Sequence, residues 1–120
     1  MFSWFQSEVD LARERAIQAL HGEVSVLDGP ANQQRGWEIV GGWMAMSRNW
    51  LAYVPHRINI QRAPLVIARA DIREMRPCWI WQLRFLPIPR CLEIETTDGK
   101  TFRFVIPNRG KWIDTFRPDW

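Results

Sequence analysis

Apolar residues recur at spacings of three and four near the start of the chain, as one face of an α-helix requires. This period predicts a helix over 3–20, and His21 and Gly22 predict its end, because Gly accepts the left-handed conformation that terminates many helices. We therefore divide the chain into an N-terminal amphipathic helix, 1–21, and a domain, 22–120. The periodic apolar positions are Phe2, Phe5, Val9, Ala12, Ala16 and Leu20.

Beyond Gly22 the apolar residues alternate with polar ones or form short runs, which is typical of β-strands. A Gly-Pro pair predicts the end of the first strand, so that 28–36 is expected to form the first hairpin loop. A Gly pair inside the second strand predicts a bulge or bend. A turn at 47–49 and a long loop at 55–64 separate the strands that follow. The predicted strands cover 23–30, 37–47, 49–55 and 65–72.

The clearest hairpin lies at 91–106, where apolar and polar residues alternate on both sides of an Asp-Gly turn. A two-residue loop would put the two apolar rows on opposite faces of the sheet, which a one-sided core does not allow. A three-residue loop with Gly99 in a bulge puts both rows on one inner face. The expected inner residues are Ile94 with Phe102 or Phe104, and the expected outer pair is Arg103 with Glu93 or Glu95.

A last apolar stripe predicts a helix near 108–117, with Asn108 as its cap and Pro118 after its end. The stripe consists of Trp112, Ile113 and Phe116. Consecutive antiparallel strands followed by one helix favour an α+β fold that is mainly β. We predict a bent antiparallel sheet, or partial barrel, of about seven strands. The C-terminal helix closes its open end, and the N-terminal helix is an addition.

Five short motifs follow one another along 22–117: the polar turn Ser47–Asn49, Pro55–His56, Asp71–Ile72, the hairpin Leu92–Gly99 and the segment Asn108–Ile113. In this order they resemble the GRAM family within the pleckstrin-homology-like fold. The resemblance implies a domain that binds membrane lipid headgroups or protein partners and catalyses no reaction. Most of these motifs are structural, so they support the fold more than the function.

Charge is distributed unevenly along the chain, whose formal net charge is +3. Residues 1–40 carry three Arg and six acidic residues, whereas 41–90 carry eight Arg and two acidic residues. Arg suits the recognition of phosphate and carboxylate groups. The resemblance implies that inositol phosphates would be gripped by basic residues of the first hairpin loop, which here offers only Arg35. We therefore expect a less selective anionic site at Arg35, Arg48, Arg57 and Arg62.

The chain offers little for catalysis or metal binding. His21 and His56 lack neighbours at metal-ligand spacing, and neither a nucleophile elbow nor a Gly-rich phosphate loop occurs. We predict no enzyme activity, no metal and no cofactor. Cys78 and Cys91, the only cysteines, are expected to face each other. Because the start lacks a secretory signal, we expect them to be reduced thiols.

The segment 76–90, RPCWIWQLRFLPIPR, combines two tryptophans and a phenylalanine with three prolines and three arginines. Two interpretations stay open: the segment extends the sheet as an extra strand, or it forms a contact loop. Trp, Phe and Arg are common at interface hot spots, and they also suit a membrane interface. The prolines predict that any strand here is short and lies at an edge. The expected partner contacts are Trp79, Trp81, Arg84 and Phe85.

Together these features predict a non-catalytic intracellular binding or adaptor module. We expect it to recognise a protein partner, which includes self-association as a homodimer, or an anionic membrane surface. The alternative is a peripheral membrane module with a specific phospholipid-headgroup site. A nucleic-acid-binding module fits less well, because the N-terminal third is acidic. No apolar run approaches the roughly 18 residues that span a bilayer. We expect a cytoplasmic location, with peripheral membrane association as an alternative.

Overall fold

The computed structural model describes residues 2–36, 38–56, 64–83 and 86–117, and their side chains except those of 2–7, 79–83 and 86–89. Helix α1 precedes the strands of a single sheet, and helix α2 follows them. The helices are α1 (Phe2–Gln18) and α2 (Arg109–Phe116). The strands are β1 (Leu27–Arg35), β2 (Glu38–Met46), β3 (Trp50–Pro55), β4 (Leu65–Ala68), β5 (Ile72–Leu83), β6 (Leu86–Thr96) and β7 (Thr101–Val105).

The seven described strands pair antiparallel in the order β4-β3-β2-β1-β7-β6-β5. Strands β4 and β5 follow each other in the chain, separated by the 3₁₀ turn Arg69–Asp71, yet they form the two edges of the sheet. The sheet therefore bends round on itself and stays open along these edges. The predicted mainly β fold of about seven strands with two helices is confirmed.

The inner face of the bent sheet encloses the main core. It contains Met44, Tyr53, Ile94 and Phe104, each at most 1% exposed. From α2, Trp112 and Ile113 are buried against this core and Phe116 packs beside them, so the predicted role of the C-terminal helix is confirmed. The predicted side-chain cap is wrong: Asn108 has a left-handed backbone and no capping hydrogen bond from its side chain. Its carbonyl accepts the amides of residues 111 and 112 instead.

Helix α1 covers the outer face of β2 and β3. Its buried residues Ala16 and Leu20 pack against Ala45, Ala52 and Val54. Successive strand residues lie on opposite faces, so β2 and β3 are buried on both sides, by the inner core and by α1. The helix ends at Gln18, two residues before the predicted end. His21 and Gly22 lie in the turn that follows, and both have positive φ angles, 55° and 81°.

The first strand differs from the prediction. Strand β1 spans Leu27–Arg35, so 28–36 is not a hairpin loop and the turn to β2 lies after Arg35. The Gly-Pro pair does not end the strand, because β1 is paired with β7 only at Asn32–Gln34. Pro30 therefore lies where that side of the strand has no partner, and a missing N–H is tolerated there. The predicted fourth strand is also shorter, since the chain leaves it at the 3₁₀ turn after Ala68.

The hairpin of β6 and β7 has the predicted register. Ile94 pairs with Phe102 and Glu93 pairs with Arg103. Thr96 donates its amide to the carbonyl of Lys100, and Gly99 has a φ of 87°. These contacts define a three-residue loop with Gly99 in the left-handed position that the pattern required.

Candidate functional site

The hairpin of β5 and β6 extends beyond the rest of the sheet. Strand β7 pairs with β6 only from Cys91 to Glu95, whereas β5 and β6 remain paired as far as Leu83 and Leu86. We call residues 79–90 the arm. Among the described residues, no third strand pairs with it. The backbone thus follows the first interpretation of this segment, an extension of the sheet.

The arm confirms one part of the strand prediction and contradicts another. It contains the end of the edge strand β5, as expected, but the strands that form it continue past the prolines and are not short: β5 has 12 residues and β6 has 11. The reason is that these prolines lie where their strands lack a neighbouring strand on one side. Pro87 and Pro89 occupy the part of β6 that has β5 as its only described neighbour, and Pro77 lies in the edge strand. A strand with a free side accommodates a residue that lacks an N–H.

The side chains of the predicted partner contacts are not among those that the structure describes. Trp79 and Trp81 lie in the backbone of β5, and their side chains are not among those described. Arg84 and Phe85 lie outside the described residues. Their role in binding therefore stays a prediction.

Two cysteines mark the base of the arm. Cys78 and Cys91 are directly paired across β5 and β6, which confirms that they face each other. The structure joins them in a disulfide with 4.9 Å between their Cα atoms, within the range that such a bond requires. This differs from the expected reduced thiols. Arg109 of α2 donates from Nη1 to the carbonyls of both cysteines, at 3.0 and 3.1 Å, so helix and arm meet here.

The structure does not bring the predicted anionic contacts together. Arg35 ends β1 next to the β1–β2 turn, and Arg48 lies in the β2–β3 turn at the other end of β2. A nine-residue strand separates them, which corresponds to about 30 Å. Arg35 donates from Nε to the side-chain oxygen of Gln33 at 2.7 Å. Arg57 and Arg62 lie outside the described residues.

The turn that carries Arg48 is held by an acidic residue that the sequence pattern did not single out. The carboxylate of Glu23 accepts hydrogen bonds from the hydroxyl of Ser47 at 2.6 Å and from the backbone and side-chain amides of Asn49 at 2.9 and 2.8 Å. These bonds, with the Ser47 bond first, hold the pKa of Glu23 below its usual value. Arg48 therefore lies beside a fixed negative charge, which weakens it as a site for anions.

Several arginines of the basic middle segment stabilise the fold. Arg69 donates to the carbonyls of Ser47, Thr115 and Phe116 and lies 5.7 Å from the centre of the Phe116 ring. It thus connects the β2–β3 turn to the end of α2. Arg73 and Arg76 pair with glutamates on the outer face of the sheet. The basic charge of 41–90 is therefore only partly available to a ligand.

The outer face of β5, β6 and β7 carries a buried carboxylate between two arginines. Glu93, 7% exposed, accepts hydrogen bonds from Arg103 at 2.8 Å and from Arg76 at 2.6 Å. Burial acts to raise the pKa of Glu93, but the bonds from Arg103 and Arg76 outweigh it and hold the pKa below its usual value. The predicted pairing of Arg103 is confirmed, and the group is structural.

The described residues contain no group of three His, Cys, Asp or Glu side chains arranged to hold a metal ion. The imidazole of His56 has a buried Nδ1 atom without a hydrogen-bond partner, and burial lowers its pKa. In the described part of the chain, no helix is both long and apolar enough to cross a bilayer.

Comparison with known proteins finds similarity in structure and not in sequence. No family model and no curated protein matches the chain. Among solved structures, the C-terminal domain of an unknown protein from Leishmania infantum has a TM-score of 0.66 and 14% identity, over 85% of this chain and 88% of that one. The N-terminal PH domain of human ARAP2 has a TM-score of 0.56 and 17% identity, over 75% and 74%.

A further similar structure is the complex of the PDZ-RhoGEF DH/PH domains with activated RhoA. Its TM-score is 0.58 and its identity 12%, over 88% of this chain and 32% of that one. At such low identities these likenesses show the fold alone. Together with the strand order and the helix that closes the core, they establish a pleckstrin-homology-like fold.

Proposed function

We propose that this chain is a non-catalytic intracellular binding module whose principal contact element is the arm. Its favoured partner is a protein, which includes a second copy of the chain. Within the pleckstrin-homology-like fold we propose a GRAM-type variant, which the motifs along 22–117 support.

One observation carries this proposal: the arm extends past the last residue of β7 as a two-stranded ribbon. Two-stranded ribbons are marginal when isolated in water, and strand edges tend to pair with other chains. The sequence of the arm is mostly apolar and includes two Trp and two Arg, the residue types that are enriched at interface hot spots. A partner that covers the arm would remove this apolar surface from water.

The test replaces Trp79 and Trp81 together with Ser. We expect the melting temperature to change little, because surface substitutions alter stability by about half a kcal/mol or less. We also expect a dimer to dissociate or a partner to be lost, because central aromatic anchors can each contribute roughly 2 kcal/mol of binding. Light scattering on the pure protein over a range of concentrations measures self-association directly.

A matched control replaces Val24, an apolar residue that is 83% exposed and lies outside the arm, with Ser. It removes exposed apolar surface without touching the arm, so association should persist. Marked destabilisation of the double Trp variant would show that the tryptophans belong to a core. A wild-type monomer whose indoles are shielded from a soluble quencher would also contradict the proposal.

An anionic membrane surface is the second candidate, because the arm has no acidic residue and carries Arg84 and Arg90. If it is correct, co-sedimentation with liposomes requires acidic lipid and weakens as salt is added, since exposed charges are screened. Replacing Arg48, Arg57 and Arg62 with Glu then tests the predicted loop contacts, and replacing Arg84 and Arg90 tests the arm. Failure of the wild type to bind acidic liposomes at low salt would exclude this candidate.

A further inference from the structure

A groove runs between the edge strand β4 and the turn that joins β6 to β7. Its volume is about 540 Å³. At one end, the amide of Thr97 donates to the carbonyl of Asp71 at 2.8 Å, so the turn contacts the chain just beyond β4. The groove is lined by apolar residues of both sides and by a few polar ones, among them Leu65, Val66, Phe102, Asp71, Asp98 and Lys100.

The backbone of β4 has a free side in this groove. Arg69 donates its amide to the carbonyl of Asn49 at 2.8 Å, and hydrogen-bonded pairs alternate along an antiparallel ladder. With the register Leu51–Ile67 and Tyr53–Leu65, residues 65 and 67 bond to β3. Residues 66 and 68 therefore direct their N–H and C=O groups away from β3. Among the described residues, no strand pairs with β4 on that side. The carbonyl of Ala68 is already engaged, because it begins the 3₁₀ turn Arg69–Asp71.

The side chain of Val66 makes the edge apolar as well as unpaired. It is 39% exposed, and Leu65 and Phe102 beside the groove are only partly buried. An unpaired edge next to apolar surface is the feature to which extended peptides add as a further strand. The backbone groups supply affinity in this mode, and alternate side chains supply specificity.

Charge distinguishes the groove from the rest of the molecule. Its lining includes the carboxylates of Asp71 and Asp98 and the ammonium of Lys100, a net charge of −1 in a chain of net charge +3. The carboxylate of Asp98 already accepts hydrogen bonds from the Thr96 hydroxyl and the Lys100 amide. Asp71, exposed beside β4, is thus the group best placed to attract a cation, and an anionic ligand is disfavoured.

We infer that the groove binds an extended peptide of a partner protein, which adds to β4 as an extra strand and carries a Lys or Arg side chain to Asp71. The peptide bonds to the N–H and C=O groups of Val66 and to the N–H group of Ala68. A second copy of the chain fits this groove less well. If its β4 paired with this β4, the β6–β7 turn that lies beside its β4 would have to enter the groove as well. This site is separate from the arm and does not depend on the function proposed for it.

The probe is a displayed library of linear peptides, selected on the full chain with its arm tryptophans intact. We expect the selected sequences to alternate apolar and polar residues, to contain Lys or Arg, and to lack Asp and Glu. Titration of one selected peptide should shift the backbone amide NMR signals of Val66 and Ala68. Affinity should fall about tenfold in Val66→Pro, which removes an outward N–H without breaking the β3 ladder. It should also fall in Asp71→Asn.

Two controls separate loss of binding from loss of folding. Val24→Pro introduces the same residue at an exposed apolar position outside the groove and should leave affinity unchanged. N-methylation of a selected peptide at alternate residues tests the backbone bonds on the unaltered protein. Two such peptides can be made, one methylated at odd and one at even positions. The peptide whose methylated nitrogens face β4 should fail to bind. Selection that yields no binder, or binders that tolerate Val66→Pro, would overturn the inference. Self-association abolished by Val66→Pro would identify a second copy as the occupant and overturn it too.

Discussion

At the scale of single residues, Gly42 shows how closely two strands approach. The Gly pair of β2 predicted a bulge or bend, yet the pairing of β1 with β2 runs through both glycines without a shift. A Cβ atom at Gly42 would lie only 2.7 Å from the hydroxyl oxygen of Tyr53 and 2.8 Å from the Cα atom of Pro55. Glycine is thus required at this position, because any side chain would clash with β3.

Gly42→Ala should therefore destabilise the protein by about 1–3 kcal/mol, as overpacking of a core does. Gly110→Ala is the matched control, because a Cβ atom there meets nothing within 4 Å. Within a helix the exchange should stabilise by roughly 0.5–1 kcal/mol. Denaturant titration of both variants measures the difference. Equal stability would mean that β2 and β3 are farther apart than described.

Glu93 links a single carboxylate to the pH dependence of stability. Its folded-state pKa lies below the usual value of 4.5. The carboxylate therefore stabilises the fold above that pH, and the contribution is lost as the pH falls through the folded-state pKa. Glu93→Gln should cost about 1–3 kcal/mol at neutral pH, because Arg76 and Arg103 lose a charged acceptor.

The difference between wild type and Glu93→Gln should shrink as the pH falls below 4.5. Asp114→Asn, which removes an exposed pair with Arg117 at 3.9 Å, should have little effect at any pH, since exposed ion pairs contribute little. Thermal melting from neutral to acidic pH measures both variants. A constant difference across this range would show that Glu93 acts through its shape and not its charge.

At the scale of elements, the base of the arm carries a covalent prediction. The disulfide closes a loop with a sequence separation of 13, and a loop of this length contributes about 3 kcal/mol. Adding a dithiol reductant should therefore lower the melting temperature of the wild type. The double variant Cys78→Ser with Cys91→Ser should melt lower and should not respond to the reductant. Melting that is equal with and without reductant in the wild type would contradict a stabilising bond.

The same elements show what the sequence could and could not predict. The faces of the β6–β7 hairpin and its three-residue loop were predicted, because its alternation and the Gly99 turn agree. Each inner or outer residue was left with two candidate partners, and the structure selects Ile94 with Phe102 and Glu93 with Arg103. The length of the arm was not predictable, because the penalty for a proline depends on whether its strand has a neighbour on that side. The bonds of Glu23 and Arg69 join residues distant in sequence, and no local period marks them. The separation of Arg35 and Arg48, in contrast, follows from the predicted strand 37–47, which lies between them and nearly matches β2.

At the scale of the whole molecule, one sheet carries two apolar faces. The inner face closes around the core with α2, and the outer face of β2 and β3 is covered by α1. Arg13 of α1 reinforces this second layer by pairing with Asp28 at 2.8 Å, and Trp43 donates to the same carboxylate at 3.0 Å. The N-terminal helix is thus part of the folded unit.

This arrangement predicts that a charge under α1 affects the whole fold. Ala16 is fully buried between helix and sheet, so Ala16→Glu would place a carboxylate against the apolar residues Ala45 and Val54. Burying an unpaired charge is strongly unfavourable. We expect either a large loss of stability or release of α1, with faster amide exchange in both α1 and β3. Gln18→Glu adds the same charge to an exposed position of the same helix and should change neither property. If Ala16→Glu melts like Gln18→Glu, α1 does not pack on the sheet in solution, and the outer face of β2 and β3 must be covered in another way.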